Sequence, residues 1–332
     1  MRIVEAESDF GKIKKGSVLT IGNFDGLHVG HCQILRSAKK IAEERNTDLT
    51  VMTFDPHPAA ILRPEQAPGI LTPLEFKKHL LAREGVDCLV VLKDTYKLLN
   101  LSPGEFVNEF VMANVRSSVV VEGPNFNFGY GRSGTVETLK TLGKKRGFEV
   151  VIVPGEKVQL SDGSIVTASS SLVRSQLERA EAADAAMVLH RPYRLIGQVV
   201  AGRGKGRYLG FPTANLEPVG QIIPAEAVYA GYVVIADSMQ QICQSSQRQR
   251  AVFSIGRAKT LVTNHPLLIE AHILDAAVGR LQGKWMGMDF IKHIRSQEIF
   301  KTEDDLKKQI QKDCRAAKEI LTQNEEGFLN GK

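Results

Sequence analysis

The sequence predicts an α/β protein in which a doubly wound parallel-sheet domain precedes a small antiparallel β-barrel domain with a C-terminal helix. The 332 residues suffice for two domains of about 100–200 residues each. Up to residue 185, short apolar runs alternate with amphipathic stretches, the pattern of repeated βα units. After Tyr193 the apolar runs alternate in polarity, and glycine and proline turns separate them. We therefore expect one domain at residues 1–185 and a second at residues 186–332.

Strands and helices follow one another regularly in the first domain. Apolar residues at helical spacing over Gly30–Glu44 predict its first helix. Thr72 and Ser102 each precede a proline and stand three residues before a glutamate, which is a helix start signal. Thr135–Arg146 predicts a further helix. Short apolar or β-branched runs predict strands at Val18–Ile21, Leu49–Phe54, Cys88–Leu92, Ser118–Glu122 and Phe148–Val153.

The second domain shows the short alternating runs that are typical of an antiparallel barrel. These runs lie at Leu195–Val200, Tyr229–Ile235, Ala251–Ile255 and Leu268–Leu274. The amphipathic stretch Lys301–Leu321 predicts a closing helix. Gln240–Arg250 is polar and contains no breaker, so we expect a long hairpin loop there and assign it no function.

Composition limits the class of protein. The formal net charge is +6, and because the first 186 residues are formally neutral, the whole excess lies in the second half. A genome-binding protein would show a denser basic stripe, so we expect no nucleic-acid partner. We expect no membrane association, since no apolar run approaches the roughly 20 residues of a membrane span. The polar N-terminus and four cysteines without a CxxC pair favour a cytoplasmic protein.

The strongest functional signal is the run Ile21–His31, at the junction of the first strand and the first helix. Open α/β sheets bind ligands beyond the carboxyl ends of their strands. His28 and His31, three residues apart at a helix N-terminus, suit an anion held by the free N–H groups there. Gly30 lets a nucleotide approach the backbone closely. We interpret the run as a nucleotidyl-transfer site, which stabilises charge around an α-phosphate as pyrophosphate leaves.

Two other interpretations of these histidines stay open. They can form a surface pair without function, or they can join His57 of the Phe54–Pro58 run in a three-histidine metal site. The glycine between the pair and the adjacent helix start favour phosphate over metal.

Two further segments of the first domain point to a nucleotide, and a third is interpreted as a loop around a flat ligand. Phe54–Pro58 ends the second strand at the ligand edge. Ser169–Arg174 opens a helix with three hydroxyls and an arginine, which suit β- and γ-phosphates, with a plain helix cap as the alternative. Gly129–Gly134 matches the dinucleotide pattern GxGxxG, but its place in a late βα unit indicates a loop around a flat ligand. Phe126 and Phe128 beside it are interpreted as stacking or core residues.

The second dense signal is the glycine segment, Gly202–Asn215. It is no Walker A loop, because no Gly-Lys-Ser/Thr ending follows, and we expect it to open no helix. It predicts a flexible basic flap over a polyphosphate, with a solvated hairpin tip as the alternative. Its glycines and basic residues are Gly202, Arg203, Gly204, Lys205, Gly206, Arg207 and Gly210.

Two polar sets follow the glycine segment. Thr213 and Asn215 are two residues apart, so they face one side of an extended strand, and their oxygens together with ATP phosphates suit Mg²⁺. Glu270 and His272 likewise share one strand face. A carboxylate fixed there can take the proton of a primary hydroxyl that attacks a γ-phosphate, although a solvent-facing glutamate is the alternative.

These runs, in order and at these distances, closely resemble the bacterial bifunctional riboflavin kinase/FMN adenylyltransferase family over nearly the whole chain. The resemblance implies that the first domain is a nucleotidyltransferase and that His28 and His31 bind and polarise the ATP phosphates. The usual Ile-Ser-Ser-Thr run is Ala168–Ser171 here, which keeps the hydroxyls. The implied ATP ligands are Gly22, Asn23, Phe24, Gly30, Ser169, Ser170 and Arg174, and the implied flavin ligands are Asn125, Phe126, Phe128, Asp55 and His57.

In the second half the glycine segment resembles the riboflavin kinase signature. The resemblance implies a six-stranded barrel, with Mg²⁺ at Thr213 and Asn215 and Glu270 as the base. The implied ATP ligands are Gly202, Gly204, Lys205, Gly206 and Gly210. Five positions depart from the family pattern and leave the activity of this half open, namely Ala227, Lys259, Leu261, Gln282 and Ile299.

We therefore expect an enzyme that phosphorylates riboflavin to FMN and adenylylates FMN to FAD, using ATP in both steps and Mg²⁺ as cofactor. The nearest alternative is an FMN adenylyltransferase whose kinase half only binds flavin, and a second is a non-catalytic flavin or RNA sensor. A class I aminoacyl-tRNA synthetase fragment, suggested by His-Val-Gly-His, lacks room for an anticodon-binding domain. The sequence does not set the oligomeric state, the transfer of flavin between domains or inhibition by product.

Overall fold

The computed structural model of this protein describes residues 1–5, 7–93, 96–202, 204–257, 267–275, 279 and 281–330. The chain divides into two compact units. The first unit comprises Met1–Pro68, Phe76–Val158 and Ile165–Ala168, and the second comprises Gly69–Glu75, Gln159–Ser164 and Ser169–Lys332. The second unit thus includes two short segments from the first half of the sequence. A functional boundary between residues 185 and 186 stays a prediction.

A six-stranded parallel sheet is the centre of the first unit. Its strand order is β1-β4-β3-β2-β5-β6, and the pairings along it are parallel. The chain builds outward from β2 in both directions, so β2 and β5 flank a topological switch point. The strands are β1 (Arg2–Val4), β2 (Val18–Ile21), β3 (Leu49–Phe54), β4 (Cys88–Leu92), β5 (Val119–Glu122) and β6 (Glu149–Ile152).

Helices connect these strands, and the predicted α/β class is confirmed. Ser102 begins α5 with a capping box, because its hydroxyl accepts from the Glu105 N–H while the Glu105 carboxylate accepts from the Ser102 N–H. A π-helical segment, Val107–Val115, continues α5. Strand β1 was not predicted. The helices are α1 (Val29–Glu44), α2 (Pro58–Leu62), α3 (Leu74–Arg83), α4 (Tyr96–Leu99), α5 (Pro103–Phe106) and α6 (Val136–Arg146).

A hairpin and two helices follow the sheet along the chain. The hairpin pairs β7 (Lys157–Gln159) with β8 (Ile165–Thr167), and the helices are α7 (Ser170–Glu178) and α8 (Ala182–Leu189). The hydroxyl of Ser169 accepts from the Leu172 N–H, so the predicted helix start is confirmed. The hairpin and α8 were not predicted.

The second unit contains the predicted barrel, closed in the order β10-β13-β12-β11-β14-β9. Its core includes Tyr229 and Phe253, whose rings meet Phe290 at centroid distances of 5.2 and 5.0 Å. The predicted closing helix is α11, and its Ala317 and Leu321 pack in a core cluster with barrel residues. The elements are β9 (Tyr193–Val200), α9 (Lys205–Tyr208), β10 (Ala214–Pro218), β11 (Ala227–Ala236), α10 (Met239–Gln244), β12 (Gln249–Arg257), β13 (Leu267–Ile273), β14 (Trp285–Ser296) and α11 (Glu303–Asn330).

Two local predictions in this unit are wrong. The glycine segment contains the short helix α9 (Lys205–Tyr208), although the sequence predicts a flexible flap that opens no helix. Gln240–Arg250 is no hairpin loop, since it contains most of α10 and the first residues of β12. The Ser238 hydroxyl caps α10, and Ile242 and Cys243 supply a buried face that the polar composition concealed.

Gln221 joins the Gly69–Glu75 segment to the barrel. The buried amide donates from Nε2 to the Leu71 carbonyl at 2.9 Å and to the Arg194 carbonyl at 2.9 Å. Its Oε1 accepts from the Ile196 N–H at 2.8 Å. The second unit therefore uses backbone groups from a segment that the sequence places far from the barrel.

Candidate active sites

The loop between β2 and α1 brings the two predicted histidines together. His28 is the N-cap of α1, and its Nδ1 accepts from the His31 N–H at 3.4 Å. The two rings stack with centroids 3.7 Å apart and planes inclined by 22°. A Cβ on Gly30 would lie 3.2 Å from the His28 ring, so the glycine leaves room for this stack. The pair thus stands at a helix N-terminus next to the switch point, where an anion is favoured.

Burial and charge keep His31 in its neutral form. Burial lowers the pKa of His31 well below 6.5, and the neighbouring His28 and Lys77 lower it further. The Nδ1 atom of His31 is buried and has no hydrogen-bond partner within the described ranges. The ring of Phe24 lies 5.2 Å from the His31 ring. A neutral imidazole of this kind offers one N–H donor and one acceptor to a ligand.

A cavity of about 500 Å³ in the first unit contains most of the predicted flavin ligands. Its size suits a drug-sized ligand. Phe126 and Phe128 stack with ring centroids 5.5 Å apart, and Phe128 also packs against Phe106 at 5.4 Å. Phe128 is therefore both a core residue and a wall of the cavity. The predicted residues that line this cavity are Gly22, Asn23, His57, Asn125, Phe126 and Phe128.

His57 is engaged on both ring nitrogens. Its Nε2 lies 3.0 Å from Asn23 Nδ2, and its Nδ1 accepts from the Ala59 N–H at 3.0 Å. These contacts join the segment after β2 to the segment after β3. They also leave His57 unsuited to a three-histidine metal site, and the described residues contain no group of three or more metal-ligating side chains.

The predicted triphosphate ligands Ser169, Ser170 and Arg174 belong to the second compact unit. The Ser169 hydroxyl caps α7, and the Arg174 Nε donates to the Gly69 carbonyl at 2.7 Å. Their role toward ATP stays a prediction. Asp55, a predicted flavin ligand, is close enough for its charge to act on Lys77.

The second site lies at a cavity of about 660 Å³ in the barrel unit. Thr213 and Asn215 line this cavity. The Thr213 hydroxyl donates to Glu270 Oε1 at 3.1 Å, and Asn215 stands opposite Glu270 in the pairing of β10 with β13. The three residues predicted for proton transfer and metal binding are thus neighbours in space, although Thr213 and Glu270 are 57 positions apart in the sequence.

Glycines let the backbone come close to these side chains. A Cβ on Gly202 would lie 2.0 Å from Asn215 Nδ2, and a Cβ on Gly206 would lie 2.5 Å from the Phe211 carbonyl oxygen. Gly204 and Gly210 have φ values of +73° and +89°, which L side chains rarely adopt. Arg203 lies outside the described residues, as does the side chain of Lys205.

His272 supports the strand that leads to Thr213. Its Nδ1 lies 2.9 Å from the Pro212 carbonyl oxygen, and its ring meets the Phe211 ring edge-on at 5.5 Å. Residues 269 to 273 of β13 alternate between buried and half-buried, which places Glu270 and His272 on one face. This agrees with the alternation in the sequence.

The positions that depart from the family pattern have different surroundings. Gln282 lines the 660 Å³ cavity with Thr213 and Asn215. Ala227 is buried in β11, and Ile299 is 70% exposed. Lys259 and Leu261 lie outside the described residues. Among the three of these positions that the structure describes, Gln282 is therefore the one that a ligand in the cavity would contact.

Two charged residues of the first unit are buried, which was not predicted from the sequence. Asp25 lies within the Ile21–His31 run and is 6% exposed, and Lys77 on α3 is 7% exposed. The sequence does contain a signal for Lys77, because it precedes the buried Leu80 and Leu81 by three and four positions. That spacing places the lysine in the buried stripe of an amphipathic helix.

Comparisons with known proteins match both halves of the chain. The FAD synthetase family model matches residues 11–168, and the riboflavin kinase model matches residues 189–321. A bifunctional riboflavin kinase/FMN adenylyltransferase of Escherichia coli (strain K12) is 32% identical over 308 residues, covering 93% of this chain and 94% of the relative. The protein of the same description from Bacillus subtilis (strain 168) is 33% identical over 309 residues, covering 91% of each.

A solved structure has the same fold. It is titled a macrolide-efflux protein from Streptococcus pneumoniae, and it matches with a TM-score of 0.80 and 26% identity over 96% of this chain and 99% of that chain. Separately, none of the helices in the described part of the chain is long and apolar enough to cross a membrane.

Proposed function

Because this chain belongs to the bifunctional riboflavin kinase/FMN adenylyltransferase family, we propose how its residues divide the two reactions. The chain is an enzyme of FAD biosynthesis that phosphorylates riboflavin to FMN and adenylylates FMN to FAD, with ATP as the second substrate. A degenerate kinase half or a flavin sensor is not favoured, since both family models match.

The barrel site phosphorylates riboflavin. The oxygen of the ribityl hydroxyl attacks the γ-phosphate of ATP and forms the new P–O bond while ADP leaves. Glu270 takes the proton of that hydroxyl during the attack. The hydroxyl of Thr213, bonded to Glu270 Oε1 at 3.1 Å, orients the carboxylate for this transfer. That contact between residues of β13 and the start of β10 is the observation that supports the assignment most directly.

The same site fits Mg²⁺. Thr213 and Asn215 offer neutral oxygens beside a carboxylate, and a cation that keeps its waters and phosphate ligands needs few protein ligands. The absence of a side chain at Gly202 leaves room for the Asn215 amide, because a Cβ on Gly202 would lie only 2.0 Å from Asn215 Nδ2. Thr213 and Asn215 would hold the ion, and Mg²⁺ when bound neutralises phosphate charge. Gly202 and Gly204 line the same cavity, so the ATP phosphates would lie against this part of the glycine segment.

The first unit adenylylates FMN. Flavin occupies the 500 Å³ cavity beside Asn125, Phe126 and Phe128. An FMN phosphate oxygen attacks the α-phosphorus of ATP, and the bond from the α-phosphorus to the bridging oxygen breaks to release pyrophosphate. His28, His31 and the N–H groups at the start of α1 stabilise the developing charge. No side chain has to accept a proton, which suits a pair that contains a neutral His31.

One assay tests both assignments. The purified protein is incubated with ATP, Mg²⁺ and either riboflavin or FMN, and the flavins are separated by chromatography. We expect FMN and FAD from riboflavin, and FAD from FMN. FAD from FMN with none from riboflavin would contradict the kinase assignment, and FMN as the only product would contradict the adenylyltransferase assignment.

We also infer a cytoplasmic location and small-molecule partners without nucleic acid. The four cysteines are free, and Cys32, Cys88 and Cys243 are buried, as suits a reducing compartment. Localisation of a tagged chain by cell fractionation tests the first inference. Flavin synthesis that is unchanged by nuclease treatment would support the second.

A further inference from the structure

His57 and Asn23 meet at the wall of the cavity of about 500 Å³, and the two reactions as proposed above give this contact no role. His57 Nε2 lies 3.0 Å from Asn23 Nδ2, and both residues line the cavity. On the other side of the ring, Nδ1 accepts from the Ala59 N–H at 3.0 Å, which makes His57 the N-cap of α2. The imidazole therefore bridges the segment after β3 and the loop after β2.

The cap at Ala59 fixes the tautomer of His57. A backbone N–H is always a donor, so Nδ1 carries no hydrogen when it accepts from Ala59. A neutral imidazole holds one hydrogen, which must then lie on Nε2, whereas an imidazolium would carry hydrogens on both nitrogens. His57 is thus a neutral ring whose Nε2–H is directed at Asn23.

This tautomer sets the orientation of the Asn23 amide. The amide NH2 group and the Nε2–H are both donors, so only the amide oxygen can form a hydrogen bond with His57. A half-turn of the amide about its Cβ–Cγ bond brings the oxygen to the position 3.0 Å from Nε2, and the shape of the side chain is unchanged because amide oxygen and nitrogen are nearly the same size. His57 thereby selects one of the two amide orientations.

The NH2 group of the amide then points away from His57, at the position that Oδ1 occupies in the structure. The atom at that position is buried and has no hydrogen-bond partner within the part of the chain that the structure describes. A buried donor without an acceptor is costly. Because Asn23 lines the cavity, an oxygen of a bound substrate would supply the missing acceptor.

Strand β3 also holds the backbone around this side chain. Thr53, near the end of β3, donates from Oγ1 to the Asn23 carbonyl at 3.2 Å. The Gly22 N–H donates to the Met52 carbonyl at 3.0 Å. Since these bonds fix the backbone on either side of the Asn23 side chain, the contact with His57 has to set only the direction of the amide.

From these contacts we infer that His57 is a positioning residue of the adenylyltransferase, which orients the Asn23 amide so that its NH2 group donates to an oxygen of ATP or FMN. The inference rests on the proposed adenylyltransferase site of the first unit. It deepens that proposal, because His57 acts through Asn23 instead of contacting flavin itself. An oxygen of either substrate has the same acceptor chemistry, and the two sources differ in which KM rises when the amide is removed.

The tautomer is tested by NMR of the ligand-free protein with ¹⁵N-labelled histidine near pH 8, where an ordinary imidazole is neutral. The signals of His57 are assigned among the eight histidines by comparison with His57→Asn. We expect a hydrogen on Nε2 and none on Nδ1, which the nitrogen chemical shifts distinguish. A hydrogen on Nδ1 would overturn the inference, since His57 could then not impose the amide orientation.

The activity test separates the cap from the contact with Asn23. In His57→Asn the shorter side chain can still accept from the Ala59 N–H, because asparagine is a favourable N-cap, but it is too short to reach Asn23. We expect kcat/KM for FAD formation from FMN to fall by about 10-fold. FMN formation from riboflavin in the same chain should stay at the wild-type level. His190→Asn, the same substitution at an exposed histidine, is the control and should change neither rate.

A double-mutant cycle decides whether His57 acts through Asn23. Asn23→Ala removes the amide, so kcat/KM for FAD formation should fall by about 10-fold or more, with a rise in the KM of the substrate whose oxygen the amide meets. Adding His57→Asn to Asn23→Ala should lower kcat/KM no further. Losses that multiply in the double variant would show that His57 acts on the ligand independently and would overturn the inference, as would wild-type FAD formation in Asn23→Ala.

The wild-type chain separates this inference from the proposed function. Wild-type protein that forms no FAD from FMN would contradict the proposed adenylyltransferase, and the role of His57 with it, whatever the tautomer. Wild-type protein that forms FAD, with multiplying losses in the double variant, would contradict the role of His57 alone.

Discussion

The two proposed ATP sites of this enzyme differ in the residues that they offer for the two reactions. The proposed adenylyltransferase site of the first unit contains a helix N-terminus and a stacked histidine pair. The proposed kinase site of the barrel combines a glycine segment with a hydroxyl, an amide and a carboxylate. Phosphorylation of a hydroxyl needs a base, whereas attack by a phosphate on ATP needs only stabilised charge.

The comparison is tested most strongly at Glu270. In Glu270→Gln the base is removed while the side chain keeps its shape, so FMN formation should fall by about 10²–10⁴-fold. FAD formation from FMN should be unchanged, because the adenylyltransferase of the first unit does not use this residue. Chromatography of the products from riboflavin and from FMN measures both rates.

Glu217→Gln serves as the control for Glu270→Gln. Glu217 is an exposed glutamate of β10, the strand that pairs with β13. Both activities should stay at the wild-type level in this variant. Parallel loss of both activities in folded Glu270→Gln would show that the division of labour between the units is wrong.

The reciprocal test is His28→Ala. Loss of one group that stabilises the developing charge should lower FAD formation by about 10²–10³-fold and leave FMN formation intact. The measurement is the rate of FAD formation from FMN at saturating ATP. His190→Asn, at an exposed site with a φ of 55° that asparagine tolerates, is the control and should change neither rate. An equal loss of FMN formation would break the comparison.

A smaller effect is expected at Gly202. A methyl group there would meet the Asn215 amide at 2.0 Å and displace it, so Gly202→Ala should slow FMN formation by about 10–100-fold. Gly279→Ala is the control, because Gly279 lines the same cavity and a Cβ there meets nothing within 4 Å. Equal rates for the two variants, measured with riboflavin and ATP, would remove Asn215 from the proposed site.

The smallest expected effect is a pH-dependent change in thermal stability at Glu122. This side chain is 3% exposed and accepts a hydrogen bond from the Ile21 N–H at 2.6 Å. Burial raises the pKa of Glu122 well above 4.5, and this hydrogen bond opposes the rise only in part. A carboxyl group with a raised folded-state pKa stabilises the protein below its unfolded-state pKa, and the contribution is lost as pH rises through the folded-state pKa.

Glu122→Gln keeps an acceptor for the Ile21 N–H and cannot ionise. We therefore expect the unfolding temperature of this variant to increase relative to that of the wild type as pH rises from 5 to 9. Thermal unfolding at a series of pH values measures this difference. Exposed Glu109→Gln should show no such trend, and a difference that grows toward acid pH would contradict the assignment.

Local signals explain how much of the fold and of the sites was predictable. The strands β2 to β6, the capping box at Ser102 and the cap at Ser169 depend on residues that are close in sequence. The helix α10 was missed because Gln240–Arg250 is polar on average, while two apolar residues suffice to bury one face. The membership of Gly69–Glu75 in the barrel unit could not be predicted from local signals, because its partners are distant in sequence; Gln221, which donates to the Leu71 carbonyl, is 150 positions away.

The sequence by itself determined the α/β class and the following barrel, and it predicted two dense ligand-binding runs and the chemistry that each run suits. Period, caps and residue type carry that information, and all of them act over a few residues. Tertiary structure alone decided that Thr213 donates to Glu270, that the rings of His28 and His31 stack and that Lys77 is buried. Hydrogen bonds, burial and shifted pKa values arise between residues that only folding brings together, since the free energies involved depend on distance in space.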